Sequence, residues 1–273
     1  TTTLRPFFPM NMPTTRPGLR FRPLVWALLL GCILTYPFSP AVSRPPGDKR
    51  DYILVINTYA ESTPWSRGII ADITAHVEQI ENLELYTEHM TLLLVDSPED
   101  IRTFEANLLR EYGKKPPQAL VLIGTPAALL RNFINSIWQD IPTIVCAEQD
   151  FIGPDKYYLK RQPIPASEQV PLRALADQDN LTLLYSPAYL DQSIDLMKRI
   201  LPGMDRLVFI DDARYVNRQT EHDLAELLGS KYPGMKYTVY SADKIGIDQL
   251  LDSLSTIDVK QTGVLFSSWH YLK

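Results

Sequence analysis

The sequence predicts an α/β protein of two lobes, each built on a doubly wound parallel sheet. Three observations carry this reading. Short apolar runs of strand length alternate with segments whose apolar residues recur at helical spacing. The alternation fills residues 51–150, fades over 151–180, and restarts at 181. The strand-like runs end in polar or aromatic turns, the position where open α/β sheets gather their ligands.

The elements follow in chain order. Tyr52–Thr58 is the first strand, and Trp65–Ile80 a helix with Ile69, Ile73, Val77 and Ile80 on one face, capped by Ser62 or Thr63 and started by Pro64. Leu83–Met90 is the second strand. Ser97-Pro-Glu-Asp100 starts a helix, with Ser as cap, Pro in the first turn and acids at the positive end, and Gly113 ends it. Ala119–Ile123 is the third strand, followed by Gly124-Thr125-Pro126 and a helix to about Ile137. Ile141–Cys146 is the fourth. Pro154, Pro163, Pro165 and Pro171 break up the next stretch, which reads as a crossover with short irregular elements. A second half then begins. Its strands are Leu181–Tyr185, Arg206–Ile210, Lys236–Tyr240 and Gly263–Phe266. Its helices are Pro187–Leu201, capped by Ser186, then Tyr215–Lys231 and Asp243–Ser255. The division is 51–150 for lobe 1, 151–180 for the crossover and 181–273 for lobe 2, with a return to the first lobe expected beyond Lys273.

A net charge of −5 and the lack of a basic, aromatic-interleaved cluster exclude a nucleic-acid partner. Two cysteines, Cys32 and Cys146, cannot make a disulfide framework or a cysteine-rich metal site, and Cys146 reads as a small buried residue. His76, His89, His222 and His270 lack metal-ligand spacing. No phosphate-binding glycine loop is present, so no cofactor and no metal are expected.

Residues 1–43 have the layout of an export signal. Thr1 is not Met, so Met10 or Met12 is a candidate start. Arg16, Arg20 and Arg22 precede the apolar run Leu24–Phe38, and Ala41-Val42-Ser43 supplies small residues for cleavage. A signal anchor and a lipoprotein signal at Leu29-Leu-Gly-Cys32 stay open as alternatives. Residues 44–50 form a Pro- and Gly-containing linker. The folded part is therefore expected outside the cytoplasm, in the periplasm, tethered to the inner membrane.

Short motifs add a resemblance. Val55-Ile-Asn57-Thr-Tyr59, Pro64-Trp65, Gly68-Ile69, Tyr86-Thr-Glu88-His-Met90, and Leu201-Pro202 ahead of Val208-Phe-Ile-Asp211 resemble the extracytoplasmic sensor domains of bacterial two-component histidine kinases. These domains are related to the substrate-binding family of ABC transporters, with a type I periplasmic-binding-protein-like fold. The likeness spans roughly Tyr52 to Phe266, and differs where Ala60-Glu61 follow the first aromatic in place of a Gly. It implies a ligand sensor with transmembrane and kinase modules downstream, in which a homodimer stays open.

The strand ends nominate the binding residues. In lobe 1 they are Asn57, Thr58, Tyr59, Trp65, Gly124, Thr125, Pro126 and Glu148. In lobe 2 they are Tyr185, Ser186, Asp211, Asp212, Ser268 and Trp269. Helix-start amides can hold an anionic group, and aromatic rings can cover an apolar or cationic one, which suits a small organic, amino-acid-like ligand. Tyr59 and Trp65 would equally staple the helix to the sheet. No catalytic residue is expected. The competing functions are a solute-binding protein of an ABC transporter and an exported α/β hydrolase using Asp211 and Asp212.

Overall fold

The computed structural model describes residues 50–91, 95, 97–176 and 180–269. The leader, most of the linker, His270 and the expected return beyond Lys273 lie outside the described residues. No described helix is long and apolar enough to cross a membrane.

Two parallel sheets organise the chain. The first has strand order β2-β1-β3-β4-β7, from β1 (Asp51–Asn57), β2 (Leu83–His89), β3 (Ala119–Ile123), β4 (Thr143–Ala147) and β7 (Leu181–Tyr185). A central parallel strand is covered on both faces and so must be apolar on both. In β1, Tyr52, Leu54 and Ile56 enter one core with Ile101, Leu108 and Tyr112 of α2 (Pro98–Tyr112) and Ile134 of α3 (Arg131–Ile137). Val55 turns to the other face, where Val121, Ile123 and Cys146 meet Ile69, Ile70 and Ile73 of α1 (Pro64–Val77).

Local chemistry sets most boundaries. Helix α2 opens on a capping box: the Asp100 amide donates to Ser97 Oγ at 3.3 Å and the Ser97 amide donates to Asp100 Oδ2 at 2.9 Å. Helix α1 begins at Pro64 with Thr63 as cap residue, but the Thr63 side chain makes no capping bond. After β3 the expected helix divides into a buried 3-10 segment, Thr125–Leu130, and then α3.

The crossover holds β5 (Phe151–Ile152), α4 (Asp155–Leu159), β6 (Val170–Pro171), antiparallel to β5, and α5 (Leu172–Ala176). Strand β7 then departs from expectation. It lies in the first sheet, parallel to β4 from Thr143↔Leu181 to Ala147↔Tyr185, and not in lobe 2. Leu181 and Leu183 pack onto the first core, which supplies the apolar contacts that fix it there. The expected start of lobe 2 at residue 181 therefore moves past β7. The next helix, α6 (Leu190–Ile200), starts three residues later than expected. Tyr189 has a left-handed φ of 48°, which a helix cannot include, so Ser186 is not its cap.

The second sheet has strand order β10-β8-β9, from β8 (Arg206–Asp211), β9 (Lys236–Ser241) and β10 (Thr262–Phe266). Leu207 and Phe209 face Ile194 of α6 and Leu224 and Leu228 of α7 (Tyr215–Lys231). Val208 and Ile210 face Leu250 of α8 (Ile247–Ser255). Helix α8 starts at Ile247 rather than Asp243, where the Gly246 amide donates to Gln249 Oε1 at 3.1 Å.

Both sheets share one winding: the first strand lies between the second and the third. Each therefore has a switch point, between β1 and β3 and between β8 and β10. The lobes touch through the crossover, where Tyr158 packs on Tyr215 with ring centroids 4.3 Å apart. The Ile164 amide donates to Gln219 Oε1 at 2.8 Å.

Candidate functional site: a cleft between two switch points

The turns that leave β1, β3, β8 and β10 line a single cleft of about 830 Å³. That lies within the roughly 300–1,000 Å³ usual for small-molecule sites. Its first wall is the β1–α1 turn, with Thr58, Tyr59, Ala60, Ser62, Thr63, Pro64 and Trp65. Pro126 and Glu148 follow β3 and β4, and Tyr158 and Arg161 come from the crossover. The opposite wall is Arg214, Tyr215 and Val216 after β8, and Phe266, Ser267, Ser268 and Trp269 at the end of β10. Ser186 and Ala188 come from the segment that joins the lobes.

Eight of the fourteen nominated residues are in this lining: Thr58, Tyr59, Trp65, Pro126, Glu148, Ser186, Ser268 and Trp269. Tyr59 and Trp65 also pack edge to face, with centroids 5.6 Å apart, so stapling and lining are combined. Asn57, Gly124, Thr125, Tyr185, Asp211 and Asp212 are not in the lining.

Four of those six shape the wall from behind. Asn57 is fully buried: its Oδ1 accepts the Tyr59 amide at 3.1 Å, and its Nδ2 reaches Ser66 Oγ at 3.3 Å and His89 Nδ1 at 3.1 Å. It fixes the turn that presents Tyr59. Gly124 has φ 96°, and a Cβ there would stand 2.1 Å from Thr58 Oγ1, so only glycine lets the tips of β1 and β3 close up. Thr125 offers its amide at the start of the 3-10 segment, but the acceptor is the chain's own Glu148 Oε2, at 3.0 Å. The helix-start anion site expected from the sequence is thus filled from within. Asp212 accepts from Arg214 Nε at 2.9 Å and from Asn217 Nδ2 at 2.7 Å, and Asn217 Nδ2 also reaches Ser268 Oγ at 2.9 Å. This ties the end of β10 to the first turn of α7.

Asp211 and Tyr185 are elsewhere. Asp211 is fully buried, 3.8 Å from the Arg218 guanidinium, which also pairs with Glu221 and Asp243. Tyr185 is exposed at the edge strand. Asp211 and Asp212 thus belong to different networks, and neither is in the cleft wall.

The charged lining is sparse. Burial pushes the Glu148 carboxyl up, while the Thr125 amide and the Tyr59 hydroxyl pull it back. Burial, followed by the neighbouring Glu148, pushes the Tyr59 hydroxyl well above its usual range, and Arg214 acts in the opposite direction. Burial alone would raise Asp212, but the Arg214 hydrogen bond and charge hold it below the usual carboxylate range. Among the lining residues not nominated, Arg214 and Tyr215 were accessible as the turn after β8. Tyr158 and Arg161 lie in the crossover, which has no periodicity to announce them.

No protein-family model matches the chain, and no curated protein matches it. Among solved structures, the chain is similar to a substrate-binding protein with adhesive properties from Clostridium difficile in its ligand-free, open form. The identity is 15% and the TM-score 0.45, over 78% of this chain and 65% of that one.

Proposed function

We propose that this chain is a bilobed small-ligand-binding domain, carried outside the cytoplasm as the sensor of a membrane histidine kinase. The observation that supports it is the convergence of both switch points on one aromatic cleft. Trp65 is 37% exposed and Phe266 66% exposed on its two walls. Apolar rings left in water gain about 25 cal/mol per Å² when covered, so a ligand that lets the walls close is favoured by that burial. Binding then shifts an existing open–closed equilibrium toward closed, and the change of lobe angle is the signal. An amino-acid-like compound has the size and mixed polarity for the cleft. The kinase assignment rests on the motif resemblance around Val55–Tyr59 and Val208–Asp211.

A thermal-shift screen of amino acids and small metabolites tests the binding reading, because a ligand of the folded state alone raises the unfolding midpoint. A hit abolished by Trp65→Ala is the expected result, and a screen in which nothing shifts the midpoint would sink it. A solute-binding protein of an ABC transporter uses the same cleft, and the two are separated by ligand-dependent autophosphorylation of the full-length protein.

A further inference from the structure

Three charged side chains line the cleft: Glu148, Arg161 and Arg214. Arg214 is already neutralised by the fully buried Asp212 at 2.9 Å, and Arg161 has an interaction of its own. Glu148 differs. One of its oxygens accepts the Thr125 amide and the Tyr59 hydroxyl stands close enough to act on the carboxyl, while Oε1 is shut off from bulk solvent and has no hydrogen bond of normal geometry. An ionised carboxylate with one oxygen held this way has neither water nor a hydrogen bond at that oxygen, a costly state unless a partner arrives. Around the same cleft stand Tyr59, Trp65, Tyr158, Tyr215, Phe266 and Trp269. Aromatic walls with one uncompensated acid attract a cation, through ring faces and through the carboxylate together.

We propose that the ligand of this cleft carries a cationic amine, and that Glu148 is the residue that selects it. The inference rests on the cleft being a ligand site and adds the charge of the ligand. A small turn of the Glu148 side chain, which lines the cleft, brings its unpartnered Oε1 to the amine, the rings enclose the carbon skeleton, and the ligand's positive charge keeps the carboxylate ionised. Neutral or purely anionic compounds of the same shape leave Oε1 unpartnered and are rejected.

The test uses matched pairs on the purified chain at pH 7.5 by calorimetry: phenethylamine against 3-phenylpropionate, and isopentylamine against 4-methylpentanoate. The amines should bind at least ten-fold tighter than the acids. Glu148→Gln keeps the shape and an acceptor for the Thr125 amide, so it should fold with an unfolding midpoint near that of the wild type and lose at least ten-fold in amine affinity. Circular dichroism of the variant checks the fold, and Glu148→Asp, which retains the charge, should recover part of the affinity. Equal or better binding of the acids, or unchanged amine affinity in a folded Glu148→Gln, overturns the proposal while leaving the cleft a ligand site. Failure of every member of both pairs, with no hit in the metabolite screen, overturns the binding reading and this inference with it.

Discussion

Asp211 shows how one buried carboxylate can oppose the fold that contains it. Neither of its oxygens has a hydrogen-bond partner at normal distance. Burial pushes its pKa up to about 6; the Ser241 hydroxyl and the Arg218 charge pull against this, and Glu221 and Asp212 push with it. The unfolded value is about 3.9. Between these two values the folded state keeps a proton that the unfolded chain has released. Stability therefore falls as pH rises from about 4 to 6 and stays reduced above, by up to roughly 3 kcal/mol for a two-unit shift. Asp211→Asn removes the titrating charge at nearly constant volume, and Arg218 keeps Glu221 and Asp243 as partners. The variant should be more stable than wild type by about 1–3 kcal/mol at pH 7.5, with the gain gone at pH 3.5. Urea unfolding at the two pH values measures it, and a variant no more stable at pH 7.5 would refute the account. The same residue marks a limit of sequence reading. Asp211-Asp212 looked like one strand-end pair, yet two adjacent side chains on a strand leave on opposite faces. One meets Arg218 and the other Arg214.

At the scale of elements, the turn after β3 is the most constrained piece of the cleft. Gly124 combines a positive φ with a Cβ direction that runs into Thr58 Oγ1 and the Tyr59 ring. Gly124→Ala must strain the backbone and push apart the β1 and β3 tips, which hold Thr58, Tyr59 and Pro126 in the wall. A loss of about 2–4 kcal/mol is expected, together with weaker binding of any ligand the wild type accepts. Unfolding midpoint and ligand affinity measured on the same preparation decide it: full affinity in a destabilised variant would separate the turn from the cleft. The elements themselves were largely readable. Ala119–Ile123 and Tyr215–Lys231 have the bounds the pattern gives them, because an apolar run flanked by Gly and a long 3.6-residue period leave little choice. What the pattern could not carry was partnership. Leu181–Tyr185 looks like the opening strand of a new lobe, and only the packing of Leu181 and Leu183 on the first core shows that it closes the old one. Nor could the pattern show that the amide of Thr125, nominated only as a strand-end residue, is already occupied, because its acceptor lies 23 residues further along the chain.

For the whole molecule, the proposed closure would need a contact that persists while the lobes rotate, and the crossover offers one. Tyr158 and Ile164 pack on Tyr215 of α7, and the Ile164 amide, flanked by Pro163 and Pro165 which have none, donates across to Gln219 Oε1. Gln219 is fully buried and its Nε2 donates to Asp223 Oδ1 at 2.8 Å, so its orientation is fixed within its own helix. Gln219→Ala strands a buried amide, at a cost of about 1–3 kcal/mol. Because the bond joins the two lobes, the loss should be felt as looser lobes as well as a lower unfolding midpoint. Hydrogen exchange at the Ile164 amide should then quicken ahead of the β1 and β8 core amides, which depend on each sheet separately. Ligand should still compact the variant in small-angle scattering, since Gln219 is not in the cleft lining. If Ile164 exchanges no faster than in the wild type, the pivot lies elsewhere. The remaining candidate is then the Ser186–Tyr189 link, where the left-handed Tyr189 sits between β7 and α6. With the pivot at the crossover, the Tyr158–Tyr215 contact lies on the axis of the proposed closure, and Trp65 and Phe266 line the walls that it would bring together. The proposed closure is then driven by covering those two exposed rings, while the hydrogen bond from the Ile164 amide to Gln219 holds the axis about which they would meet.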